Sequence, residues 1–467
     1  MVEEPQEIPE EISDEDEAEE DGYSLSPKRV AAILYALERQ DRAALVEEME
    51  PLHAADIADL LEQVNAYDRR RLILLYGEEF DGEILSELDE GIREDVIAVL
   101  QPHVLAEAVR ELESDDVVDL VEDLEEEAQQ AILDTLEDAD RLAVEQSLSY
   151  PEFSAGRLMQ REVVMGAEHW TVGQAIDFMR TSDDLPDDFY HMVLVDPRMH
   201  PVGHVTLGKI LGAPRGTKLT ELLEPGFRTF NVMESETDVA YAFNQYHMIS
   251  APVLDADDRV VGVITIDDAM NVLDEEHEED IMRLAGVGEG SLADRVTDTV
   301  RQRIPWLAVN LVTAILASLV IAQFEATIAQ FVALAVLMPI VASMGGNAGT
   351  QSLTVAVRAI ATRDLTAANV WRVIRREVLV GLINGLVFAL VMGLVGLIWF
   401  GSPALGGVIA AAMIINLVIA GLAGIGIPVL LERVGIDPAL ASGAFVTTVT
   451  DVVGFFAFLG LAGMVLL

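Results

Sequence analysis

Cysteine is absent from the 467 residues, which excludes a disulfide framework and any thiolate metal site. Lysine is almost absent as well: the chain has three, Lys28, Lys209 and Lys218. Aromatic residues make up 6% of it. With 80 acids against 29 bases the formal net charge is -51, so a nucleic-acid partner is not expected. The first residues, MVEEPQEIPEEISDEDEAEEDG, hold no apolar run; no signal peptide is expected there, and residues 1–24 read as a disordered acidic tail. No nucleophile and base constellation and no phosphate loop is found, so an enzyme is not expected.

The charge is unevenly placed. Residues 1–300 carry seventy-four acids and twenty-one bases, a net of -53, while residues 301–467 carry six acids and eight arginines. A soluble, very acidic head therefore precedes a nearly neutral apolar region. That region divides into five candidate membrane helices, at 306–324, 329–358, 377–400, 405–431 and 439–466, each long enough for a bilayer core of about 30 Å. Arginines precede the first segment (Arg301, Arg303) and lie after the second and fourth (Arg358, Arg363, Arg372, Arg375, Arg376 and Arg433), whereas the other two loops have none. By the positive-inside rule the head is cytoplasmic and the C-terminus extracellular.

Two features of the apolar region point to ions. Asp451 stands unpaired near the middle of the last segment, where an ionised side chain costs roughly 2.5 to 3.5 kcal/mol and usually faces water or an ion. In the second segment the run MPIVASMGGNAGTQS at 338–352 holds a proline, paired glycines and polar amides. It is expected to break the helix and line a cavity with Gly345, Gly346, Asn347 and Gln351. The alternative is that Gly345, Gly346 and Gly349 simply allow close helix packing.

The head has two parts. Residues 25–150 read as short amphipathic helices, such as HAADIADLLEQV and SDDVVDLVEDL, at lengths that suit a compact superhelix. Residues 160–275 contain a repeat, in which Asp196 and Asp255, Gly203 and Gly262, and Thr206 and Thr265 are each 59 apart. Its order of helix, strand, turn, strand and helix resembles a tandem pair of CBS domains, a module that in other proteins often binds adenine nucleotides. The second unit has Thr265-Ile-Asp-Asp268, whereas the first has Thr206-Leu-Gly-Lys209, so at most one ATP site, with Thr265 and Asp268, is suggested. Between head and membrane, SLADRVTDTVRQR at 291–303 reads as a further amphipathic helix.

The order of acidic superhelix, linker YPEFSAGRLM, paired CBS units, connecting helix and five spans is similar to that of the MgtE-type magnesium channel/transporter family. The runs GGNAGTQS at 345–352, AVRAIATRDL at 356–365 and DPALASGAFVTTVTD at 437–451 carry the resemblance in the membrane. The fold expected is a multidomain α-helical membrane protein. Its parts are an acidic tail (1–24), a cytosolic all-α superhelix (25–150), an α/β tandem CBS pair (151–280), a linker and connecting plug helix (281–303) and a five-transmembrane-helix pore domain (304–467).

The resemblance implies a Mg2+ channel or transporter in the cell membrane, with Mg2+ as both substrate and regulatory ligand and a homodimer as the assembly. Asp451 falls on the family's pore aspartate, with Thr447 and Gly443 on the same helix face. The family often has asparagine at the second of these and alanine at the first, so preference among Mg2+, Co2+, Mn2+ and Ca2+ stays open. Asp268, Asp274, Glu276, Glu279 and Asp280 align with acids that bind Mg2+ in the family's cytosolic sensor, and Asp115, Asp116 and Asp119 are candidates on the superhelix side. The acid excess also resembles proteins of salt-loving hosts, where the Debye length is about 3 Å at 1 M. Competing readings are a non-conducting sensor and, more remotely, an intramembrane aspartyl protease, which requires a second carboxylate at depth.

Overall fold

A computed structural model describes residues 25–467 apart from 123, 125, 183–184, 187–188 and 288–295. The expected acidic tail and residues 291–295 of the expected connecting helix lie outside the described residues. The chain divides into two compact units, 1–274 and 275–467.

The first unit opens with helices α1 (Pro27–Glu38), α2 (Arg42–Met49), α3 (Ala54–Gln63), α4 (Ala66–Tyr76), α5 (Glu83–Ser86), α6 (Glu90–Ile97), α7 (Pro102–Glu111), α8 (Ser114–Glu122), α9 (Glu126–Leu133) and α10 (Asp138–Leu148). They are short because start signals recur. Ser26, Asp41 and Asn65 each accept a hydrogen bond from a first-turn amide, which satisfies donors that a helix start leaves bare. Their apolar faces merge into one core running from Ile33 to Val144. Arg93 lies almost buried beneath it, donating to the Leu88 carbonyl at 3.2 Å and to Asp119 Oδ2 at 2.7 Å.

The linker at 150–159 is a packed element, not a spacer. Its short helix α11 (Ala155–Leu158) sets Ala155 and Met159 into the core of the second CBS unit, with Ala155 N–H donating to the Glu234 carbonyl at 2.8 Å. The repeat follows as β1 (Met165–Ala167), α12 (Val172–Thr181), β2 (His191–Val195), β3 (Pro201–Thr206) and α13 (Leu207–Gly212), then β4 (Phe230–Asn231), α14 (Glu236–Tyr246), β5 (Ser250–Leu254), β6 (Val260–Thr265) and α15 (Ile266–Leu284). Each half is a three-stranded sheet with one parallel and one antiparallel pairing. The spacing of 59 extends to irregularities: the register shifts at Leu194/Val195 in one sheet and at Val253/Leu254 in the other. The strand-opening residues His191 and Ser250, also 59 apart, meet through a 2.6 Å hydrogen bond. The short leading strands β1 and β4 were not expected from the sequence, because two or three residues carry no alternation to read.

The second unit begins within α15, at Glu275, and holds the rest of that helix with α16 (Val296–Ala322), α17 (Glu325–Gln330), α18 (Ala333–Ala361), α19 (Val370–Phe400), α20 (Pro403–Arg433) and α21 (Pro438–Val465). All but α17 are long and apolar enough to cross a membrane. The most enclosed of the five is α20, which packs against α18, α19 and α21. Two expectations are corrected. Among the described residues no separate connecting helix precedes the first span, since 296–303 run unbroken through Pro305 into α16. The third span begins at Val370 and not near 377. Hydropathy locates apolar depth, whereas arginine, a good helix former, extends the helix beyond it.

Candidate ion path and cation-binding acids

Three of the expected membrane residues share α21 at intervals of one turn. Asp451 is half-buried, and among the described residues no hydrogen bond or ion pair reaches its carboxylate. Thr447, also half-buried, spends its hydroxyl proton within the helix, donating to the Gly443 carbonyl at 3.0 Å and to that of Ala444 at 3.1 Å. Its oxygen therefore remains an acceptor. Gly443 lies beside the last turn of α15: a side chain there would stand 3.7 Å from the Leu284 carbonyl oxygen.

The break expected in the second span does not occur, because α18 is one helix from Ala333 to Ala361 with Pro339 inside it. Gly345 and Gly349 serve close packing. A Cβ on Gly349 would lie 2.6 Å from Val446 Cγ1 and 3.5 Å from Thr450 Cγ2 of α21, and one on Gly345 would collide with Asn416 of α20. Gly346 has open space around it. Asn347 and Gln351 stand on the exposed side with Thr350 and Thr354. The two threonine hydroxyls satisfy carbonyls one turn back, those of Gly346 and Thr350, at 3.0 Å each. A polar face along α18 and the unpaired Asp451 on the adjoining α21 thus belong to one bundle. Glu377, which the sequence places at a span end, lies within α19 and accepts a 2.9 Å hydrogen bond from Ser352.

The expected sensor acids fall into two groups. In the head, Asp115, Asp116 and Asp119 of α8 face Asp268 in the first turn of α15. Burial, then the charge of Asp268, holds the Asp115 carboxyl well above its ordinary range. Asp116 is pushed up to about 7 by burial and then by Asp268 and Asp119. Asp268 rises to about 6, chiefly through burial, against the lowering effect of the hydrogen bond it accepts from Thr265 at 2.7 Å. Sequence reasoning missed Glu113, pushed up to about 7 by burial and the nearby Glu162, and Asp267, whose charge acts on Asp116 and Asp268. The distance of these partners along the chain hides them. Asp119 differs from the rest, being paired with Arg93. Among the described residues no three acids or histidines stand close enough to hold a bare metal ion directly.

The second group lies at the other end of α15. Asp274 is exposed there, while Glu276, Glu279 and Asp280 are half-buried. Arg283 pairs with Glu279 and, at 3.3 Å, with Asp437. Asp437 caps α21 by accepting from Ala439 N–H at 2.7 Å. Asp280 is held above its ordinary range by burial and by Asp437. Leu284 packs with Leu353, Val357, Ala439 and Val446, so the end of α15 is seated on the ends of α18 and α21.

These features define a multi-pass membrane protein whose head is a helical superhelix joined to a tandem CBS pair. The family described as "Divalent cation transporter" matches residues 338–461, the MgtE intracellular N domain matches 52–153, and the CBS domain matches 229–275. The magnesium transporter MgtE of Thermus thermophilus is 31% identical over 449 residues, covering 95% of this chain and 99% of its own. That of Enterococcus faecalis is 33% identical over 321 residues, covering 69% and 71%. Among solved structures, the cytosolic domain of the Mg2+ channel MgtE in complex with ATP is 27% identical with a TM-score of 0.49, over 52% of this chain and 99% of that one. The chain belongs to the MgtE magnesium transporter family.

Proposed function

We propose that the chain is a channel for Mg2+ uptake across the cell membrane, closed by Mg2+ bound to its cytoplasmic acids. The observation that carries the reading is Asp451: a carboxylate in a spanning helix, with no partner among the described residues. Mg2+ gives up water reluctantly and is commonly held through few carboxylates with its waters retained. One carboxylate, with the acceptor oxygen of Thr447 a turn away, suits a hydrated ion whose waters donate hydrogen bonds. With Asp451 unpaired among the described residues and Glu377 of α19 held by Ser352, the bundle also offers little apparatus for coupling to protons.

The head acts as the sensor in this reading. Crowded carboxylates on α8 and α15 repel when ionised, so a cation between them favours the compact arrangement. Their spacing suits ligation through retained waters better than direct contact. Mg2+ that binds one conformation better shifts the equilibrium toward it, which is negative feedback. Asp274, Glu276, Glu279 and Asp280, further along α15, are the remaining sensor acids of this reading. Thr265 and Asp268 remain the residues for ATP, a role for Asp268 that is an alternative to cation sensing and not an addition to it.

The arginine distribution supports a cytoplasmic head and an extracellular C-terminus. The polar face of α18 around Asn347 and Gln351 is exposed in the single chain, and a second copy is the natural cover for it, making a symmetric homodimer. The test is Mg2+ uptake into proteoliposomes by the unaltered chain and by Asp451→Ala, with Mg2+ varied on the head side at molar KCl. Loss of uptake in the variant and suppression by head-side Mg2+ are expected; uptake independent of Asp451 would overturn the pore assignment.

A further inference from the structure

Asn416 lies on α20 and is fully buried, with 0% of its surface exposed. Its neighbours in the bundle are apolar: Met413 and Leu417 beside it on α20, and Val341 and Leu337 on α18, all belong to one hydrophobic cluster. The side-chain Nδ2 donates to the Val341 carbonyl at 2.8 Å, while Oδ1 has no partner among the described residues. A bare buried acceptor has a stability cost, and leucine, which has the same branched skeleton with bulkier methyl groups, would leave no acceptor bare.

The shape of the site explains the choice. A Cβ added at Gly345 of α18 would collide with the Asn416 carboxamide, and one added at Gly454 of α21 would lie 2.8 Å from Nδ2 and 3.0 Å from Cγ. One side chain on the central helix therefore fills a slot cut by two glycines on the two flanking helices. Gly345 opens the GGNAGTQS run, and Gly454 lies three residues beyond Asp451. The hydrogen bond to Val341 ties the carboxamide to the turn of α18 that carries Gly345.

We infer that Asn416 is a positioning residue of the ion path: keyed between Gly345 and Gly454, its carboxamide sets the separation of α18 from α21 and so the width available to a hydrated cation at Asp451. The inference rests on reading Asp451 as the ion site. Asn416 itself does not touch the ion. Hydrated Mg2+ is passed by a path of one width, and an ion that sheds water more readily, such as Ca2+, tolerates others; altering the key therefore changes selectivity as well as flux.

The full chain is reconstituted as the unaltered protein, Asn416→Leu, Gly345→Ala and Gly345→Ala with Asn416→Ala, and its melting temperature, Mg2+ flux and ratio of Mg2+ to Ca2+ flux are measured. Asn416→Leu is expected to stay folded, with removal of the bare acceptor set against its added bulk, yet to lose Mg2+ preference at least about fivefold. Gly345→Ala loses flux through collision with the carboxamide, and Asn416→Ala restores it. An Asn416→Leu variant with an unchanged flux ratio overturns the inference, as does a double variant that stays as inactive as Gly345→Ala. If the leucine variant fails to fold, the double variant decides. Absence of flux in the unaltered chain would instead overturn the ion-path reading, and the inference with it.

Discussion

Arg283, in the last turn of α15, reaches Asp437 at 3.3 Å, and Asp437 is the residue that caps α21, the helix of Asp451. A guanidinium thus stands among Glu279, Asp280 and Asp437 where a cation is wanted. Replacing it with glutamine leaves the three acids to repel one another across the contact that Leu284 makes with Ala439 and Val446. In Arg283→Gln, flux in the absence of head-side Mg2+ is expected to rise roughly two- to fivefold, the scale of a partly exposed ion pair. Added Mg2+ then suppresses it by a larger factor, while Arg283→Lys behaves as the unaltered chain. Equal suppression in glutamine and arginine forms would show that the pair has no part in gating.

The head acids yield a pH prediction whose sign follows from their raised values. Glu113 and Asp116 are pushed up to about 7 and Asp268 to about 6, whereas unfolded carboxylates titrate near about 4. Between those limits the folded head holds protons that the unfolded chain has released, so its stability is greatest at low pH and falls as pH rises from about 4 toward about 7. In metal-free buffer, hydrogen exchange in α8 and the start of α15 should speed up between pH 5 and pH 7.5 beyond the intrinsic rate, by roughly the amount that linkage allows. Mg2+ restores protection at pH 7.5 and adds little at pH 5. Protection that is flat with pH and indifferent to Mg2+ would exclude these acids as the sensor.

Arg93 provides a test that separates structure from sensing. Its guanidinium is nearly buried and donates to the Leu88 carbonyl as well as to Asp119. Arg93→Met removes both and should destabilise the head by about 1–3 kcal/mol, discounted from the value for a buried pair because Asp119 is half exposed. The melting temperature falls accordingly, and Asp119, freed from its partner, strengthens the effect of Mg2+ on stability. A variant that melts as the unaltered chain would contradict the support role assigned to this arginine.

The sequence predicted the spans, the repeat and the lone Asp451 because each is written locally, in runs of apolar residues, in a spacing of 59, or as one acid in an apolar segment. Contacts between distant positions were not legible. Nothing near Asp280 announces Asp437, and nothing near Asp116 announces its neighbours on α15. The run at 338–352 reads as a break because proline and glycine lower helix propensity in isolation. In the bundle, α20 and α21 close upon Gly345 and Gly349, and Thr350 and Thr354 return their hydroxyl protons to the backbone. Packing thereby overrides propensity, and the helix stays whole.

Thr447 offers the finest test of how the ion is held. Its proton is committed to the carbonyls of Gly443 and Ala444, so toward the ion path the oxygen can only accept. In the proposed path a hydrated Mg2+ presents water hydrogens, which need acceptors, and Asp451 one turn further would supply the charge. Thr447→Val keeps the branched shape and removes the acceptor. The loss is that of one neutral hydrogen bond, about 0.5–1.5 kcal/mol, or roughly two- to tenfold in flux. Thr447→Ser retains the oxygen and should retain the flux, and both variants should melt close to the unaltered chain. Concentration-dependent Mg2+ flux in proteoliposomes distinguishes the outcomes. If valine carries Mg2+ as well as threonine does, the cation passes Asp451 without meeting this side chain, and the ion-facing side of α21 must be drawn through other residues.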